Sequence, residues 1–128
     1  MSKRKGSGYE RELLRMFFDN GFSGVRVAGS GCSSMPSPDL VIGREGNVLA
    51  VEVKSTINDF VYISEEQLSN LVQFSNVFGA KPLVAVKFIS RGWRFFDVPE
   101  LTAKNARFSF NNSKRVFENF LTKKLNEF

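Results

Sequence analysis

The sequence predicts an α/β fold, a mixed five-stranded β-sheet flanked by α-helices. Three patterns lead there. Apolar residues at helical spacing, such as Leu13, Leu14, Phe17 and Phe18, alternate along the chain with short runs rich in β-branched and aromatic residues. Two capping boxes, Ser7 to Glu10 and Ser64 to Gln67, mark helix starts, and Gly21 and Gly79 mark the ends. The resulting order is α-β-β-β-α-β-β-α without internal repeat, which suits a sheet covered by helices.

Each element has its own warrant. Lys3-Arg4-Lys5-Gly6 reads as part of a mobile basic arm over residues 1–6, ahead of the first helix. Val25 to Ala28 is a short strand, and Gly29 to Pro38 is loop by composition. Asp39 to Ile42 and Val48 to Lys54 predict two strands joined by a turn around Gly43–Asn47. The second helix carries Leu68, Leu71 and Val72 and runs to Phe78. Pro82 to Ile89 and Trp93 to Val98 form two more strands around Ser90-Arg91-Gly92. Residues 99–112 read as irregular. Ser113 then opens a last amphipathic helix, with Val116, Phe117, Phe120, Leu121 and Leu125 on one side.

A length of 128 residues fits one domain over 1–128, which buries roughly two thirds of its unfolded surface. The 14 phenylalanines exceed what such a core needs, leaving some for an interface. No apolar run approaches the roughly 20 residues of a membrane span, and the N-terminus is basic without an apolar stretch, so no membrane association is expected. The lone Cys32 excludes an intrachain disulfide and fits a reducing, cytoplasmic setting. Net charge is +5, with +3 in residues 1–15, +3 in residues 100–128 and −1 between them. Basic ends around a slightly acidic centre fit a polyanion gripping a metal-holding site, although solubilising charge gives the same total.

That centre holds Pro38-Asp39 and Glu52-Val53-Lys54, with Glu10 upstream. Side chains alternate across a strand, so Ala50, Glu52 and Lys54 share one face and Leu49, Val51 and Val53 the other. Asp39 opens the preceding strand, where the sheet can set it beside Glu52. Glu10 lies three and four residues before Leu13 and Leu14, on the buried face of its helix. The chain has no histidine, so hydrolytic chemistry would rest on acids, a lysine and a metal. Hard oxygen donors favour Mg²⁺ or Mn²⁺ over Zn²⁺. Such an ion can activate water against a phosphodiester, with Lys54 orienting the water or stabilising the transition state. A plainer role is open to each residue alone: Glu10 as a helix cap, Asp39 as a turn residue, Glu52 and Lys54 as a surface pair.

These residues match the PD-(D/E)XK nuclease superfamily, and the chain resembles its archaeal Holliday junction resolvases. The likeness runs through Tyr9-Glu10-Arg11-Glu12-Leu13-Leu14, Val27-Ala28-Gly29-Ser30 and Leu49 to Lys54, and the stretch from Leu83 to Phe96. It implies a homodimeric, Mg²⁺-dependent endonuclease, with Mn²⁺ able to substitute, that makes paired symmetric nicks in four-way DNA junctions during recombination and repair. Glu10, Asp39 and Glu52 would hold metal and Lys54 would be the catalytic lysine. Lys3, Arg4, Lys5, Arg11 and Arg26 would meet DNA. Ser30 would contact the cleaved strand beside the catalytic set. Phe74 and Phe78 fall at aromatic positions associated with the dimer face. From spacing alone, Phe74 and Phe78 also fit a core, Arg26 a solvated strand position and Ser30 a turn. One departure is the loop from Gly31 to Pro38, longer than the compact family form, which loosens the placement of Ser30 relative to Asp39. Two rivals share the fold: another restriction or repair-type endonuclease of the superfamily, and a non-catalytic junction-binding protein.

Overall fold

The computed structural model describes residues 3–27, 35–98, 106–113 and 115–122. Helix α1 (Lys3–Asp19) leads into β1 (Ser23–Arg26), β2 (Leu40–Arg44), β3 (Asn47–Thr56) and β4 (Phe60–Ile63). Helix α2 (Glu65–Phe78) follows, then β5 (Lys81–Phe88), β6 (Gly92–Asp97) and β7 (Ala106–Ser109). A 3₁₀ turn (Phe110–Asn112) and the short helix α3 (Asn119–Thr122) complete the described chain. The main sheet has five strands in the order β1-β2-β3-β5-β6, and β4 pairs with β7 in a separate two-stranded sheet.

Every pair in the main sheet is antiparallel except β3 with β5. A parallel pair needs a long crossover, and β4 with α2 supplies it. That topology puts β3 in the centre, covered on both faces. Leu49, Val51 and Val53 pack with Leu13 and Phe17 of α1, together with Phe95, Phe117 and Phe120. Ala50 faces the other core, with Leu68 and Leu71 of α2, Val84, Val86 and Phe108. The alternation expected of β3 is therefore the division between two hydrophobic cores.

Both predicted ends of α2 are present. The Ser64 side chain accepts from the Gln67 N–H, the box closes in return, and Gly79 caps the C-terminus at φ 88°. Gly24 in β1 is required for another reason: a Cβ there would meet the Val41 carbonyl oxygen at 2.6 Å.

Four expectations change. Helix α1 starts at Lys3, so residues 3–6 belong to it rather than to an arm, as suits good helix formers such as lysine and arginine. Phe18 is exposed, because Phe17 takes the core side of the last turn. Strand β4 lies between Lys54 and Ser64, where no element was assigned, and β7 lies in the stretch expected to be irregular. The last helix is shorter and begins at Asn119, because Arg115 is drawn into a β-bridge with Phe95. Phe117 and Phe120 are buried as expected, whereas Leu125 lies outside the described residues and the side chain of Leu121 is not described. No helix among the described residues is long and apolar enough to cross a membrane.

Candidate functional site

The β2–β3 ladder ends with Leu40 opposite Val51. Asp39 is the next residue out, and its backbone N–H still donates to the Val51 carbonyl at 3.0 Å. Its side chain turns along the strand, where Oδ2 accepts from the Val53 N–H at 2.8 Å. The aspartate is thus fixed by backbone on both sides, and it stands beside Glu52 as the strand pairing requires. Glu52 and Lys54 follow on one face of β3, with 3.8 Å between Lys54 Nζ and Glu52 Oε2. Glu10 reaches the same place from α1, and Arg26 Nη1 at the end of β1 stands 3.7 Å from its Oε1.

These contacts choose between open readings. Glu10 lies in the body of α1, seven residues after its start, so it is no helix cap. Arg26 is half-buried against Glu10 while neighbouring Val25 is exposed, so it is not a solvated strand residue. Glu52 and Lys54 are both largely enclosed, unlike a surface pair.

The electrostatics mark the cluster as short of positive charge. Burial pushes the Glu52 carboxyl up to about 8, and the Asp39 carboxylate, which also hydrogen-bonds it, adds to the rise against the pull of Lys54. Glu10 is raised as well, by burial and by Asp39, with Arg26 and Arg11 opposing. Among the described residues no three acids form a ready-made cation cage. Glu10 faces Arg26, and Glu52 faces Lys54, at 3.7 and 3.8 Å. The donor set still fits Mg²⁺, which binds through one or two carboxylates and keeps several waters. PD-(D/E)XK nucleases typically depend on that ion.

Not every expected residue joins the cluster. Ser30 lies outside the described residues, and the side chains of Lys3, Arg4 and Lys5 are not described. Arg11 is exposed and close enough to act on Glu10. Phe74 and Phe78 lie elsewhere, on α2, stacked with ring centres 4.9 Å apart.

One neighbouring group was missed in the sequence. Glu12 Oε2 accepts from Trp93 Nε1 at 2.7 Å and pairs with Lys87 Nζ at 3.0 Å. Lys87 pairs with Ser55, next to Lys54, so this knot ties α1 to the sheet beside the acids. Its members are 75 and 81 residues apart, and no local spacing could have joined them.

The family model of the archaeal Holliday junction resolvase (Hjc) matches residues 1–125. The crossover junction endodeoxyribonuclease Hjc of Archaeoglobus fulgidus is 40% identical over 111 residues, covering 87% of this chain and 82% of its own. The crossover junction endodeoxyribonuclease Hje of Saccharolobus solfataricus is 33% identical over 95% of this chain and 99% of its own. The solved structure of A. fulgidus Hjc superimposes with a TM-score of 0.74 at 41% identity, covering 80% of this chain and 85% of that one. Fold and sequence agree: the chain belongs to the archaeal Hjc-type Holliday junction resolvases of the PD-(D/E)XK nuclease superfamily.

Proposed function

We propose that this resolvase cuts four-way junctions at the Glu10–Asp39–Glu52–Lys54 cluster, as a homodimer and with Mg²⁺, for which Mn²⁺ can substitute. As a family member it is a structure-specific endodeoxyribonuclease. The observation that carries the site assignment is the end of the β2–β3 ladder, where Asp39, Glu52 and Lys54 converge and Glu10 arrives from α1.

Glu52 and Asp39 would hold the ion, with Glu10 completing the set or holding one of its waters. When bound, Mg²⁺ lowers the pKa of an attacking water and offsets charge developing on the phosphate. Lys54 stands beside Glu52, placed to orient that water or to donate to the non-bridging oxygens as charge builds. Arg26 and Arg11, already beside Glu10, would meet flanking phosphates. Ser30 and the basic start of α1 are further candidates for contact with the cleaved strand and its arm.

A dimer matches the substrate. Opposed strands of a two-fold junction call for two sites related by the same symmetry. Helix α2 offers a face for it: Val77 and Phe78 are 86% and 55% exposed, and they line a hollow of about 410 Å³ with Pro36, Gln73 and Phe74.

The test is cleavage of an end-labelled four-way junction with Mg²⁺, beside a linear duplex and a three-way junction. Symmetric nicks in opposing strands of the four-way junction are expected. Equal cutting of the duplex would replace this reading with a general nuclease of the superfamily. Salt-sensitive binding without nicking, across several divalent ions, would leave a junction-binding protein.

A further inference from the structure

The register of the main sheet extends the site sideways. Lys54 pairs with Val86 and Val86 with Arg94, so the lysine and the arginine stand in one row, on one face, across β3, β5 and β6. Two strand spacings put their backbones about 10 Å apart. Arg94 does not stand alone. Its guanidinium lies 4.2 Å from the centre of the Phe110 ring, and that of Arg91, at the β5–β6 turn, lies 3.7 Å from the same centre. Arg107 of β7 lies 4.3 Å over Phe60, whose ring meets the exposed Tyr62 edge-on at 5.3 Å.

Asp59 pairs with Arg91 at 2.6 Å. Among the described residues, neither Arg94 nor Arg107 has a carboxylate at ion-pair distance. A guanidinium stacked on a ring is held by its face and keeps in-plane N–H donors for acceptors; in Arg94, Nη1 donates to the Trp93 carbonyl at 3.2 Å and the other donors remain. Two such groups meet on Phe110, and a third stands on Phe60 of the neighbouring two-stranded sheet, while Asp97 is taken up by Arg115; guanidinium forks held this way suit phosphates. The slightly acidic balance of the middle of the sequence hides it, since Arg91 and Arg94 are averaged there with distant acids.

We infer that Arg91, Arg94 and Arg107, held on Phe110 and Phe60, grip the sugar-phosphate backbone of the DNA arm leading away from the scissile phosphate. The inference rests on the nuclease site proposed above. Planar guanidinium forks match phosphate oxygens two at a time. Contacts of this kind fix the direction of an arm and read no sequence.

The test compares the full chain with its R94Q/R107Q variant. Affinity is measured without divalent ions, over a salt series, on four-way junctions with long arms and with arms trimmed to a few base pairs. On long arms the variant is expected to bind more weakly, with a salt slope shallower by about 0.9 for each phosphate that is no longer neutralised. On trimmed arms the two proteins should bind alike. R94K/R107K keeps the charge and should retain most of the slope. A thermal melt establishes that the variant is folded; if it is not, R107Q alone, at an exposed position, should give about half the slope change. An unchanged slope on long arms overturns the inference, and so does equal weakening on both substrates. Failure of the unaltered chain to prefer any junction over duplex would instead overturn the resolvase reading.

Discussion

Glu52 shows what one buried carboxyl does at this site. Ionised in the unfolded chain near 4.5, it is pushed up to about 8 in the folded, metal-free protein. Between those values the folded chain holds a proton that the unfolded chain has released. Its contribution to stability is therefore fully present below pH 4.5 and is lost as pH rises through about 8. Glu10 adds to the same trend. Thermal unfolding without divalent ions should show stability declining across this window, and Glu52→Gln should flatten the decline. Mg²⁺ needs the ionised carboxyl, so its affinity should rise with pH over the same range, which titration calorimetry would detect as proton release. In cleavage assays Glu52→Gln should abolish nicking while junction binding in a band shift persists. Equal loss of both would argue that Glu52 shapes the DNA surface and not the chemistry.

At the scale of elements, α2 was the most legible. Its capping box, apolar stripe and terminal glycine are local signals, and the structure uses all of them. Ser64→Ala should cost about 1 kcal/mol in denaturant unfolding, since it leaves the Gln67 N–H without its cap. The start of α1 misled because a Ser-x-x-Glu pattern also arises inside helices; here Glu10 faces Arg26 and Lys3 to Gly6 simply extend the helix. Strands β4 and β7 were invisible for a different reason. Each has four residues, and they pair with each other across the whole of α2, β5 and β6. Neither carries a turn signal or an alternation long enough to stand out. The last helix fell short because the Arg115 carbonyl accepts from the Phe95 N–H, a demand set by the edge of β6.

For the molecule as a whole, aromatic residues hold the helices and the sheet together. The Phe17 ring makes edge contacts with Phe22, Phe95, Phe117 and Phe120, drawing α1, β6 and the segment around α3 onto one point. Phe17→Ala should cost about 3–5 kcal/mol, read from denaturant midpoints. Exposed Phe78 offers a test of the proposed dimer. Phe78→Glu puts a charge on the exposed face of α2, where it should leave the fold intact and shift light scattering from dimer to monomer. Paired nicks would then become independent single nicks on a cruciform plasmid. A variant that remains dimeric would move the interface away from α2.

The sequence determined the alternation of β3, the ends of α2 and the identity of the acids and lysine. Those features are written in neighbouring residues, through strand period, capping chemistry and the absence of histidine. Tertiary structure decided their partners. Only the end of the β2–β3 ladder sets Asp39 against Glu52, and only the packing of α1 on the sheet brings Glu10 to Arg26. The Glu12–Lys87–Trp93 knot and the Lys54–Val86–Arg94 row likewise join residues distant along the chain. Such contacts follow from the pairing of strands and the burial of two cores on either side of β3, which no short window of sequence contains.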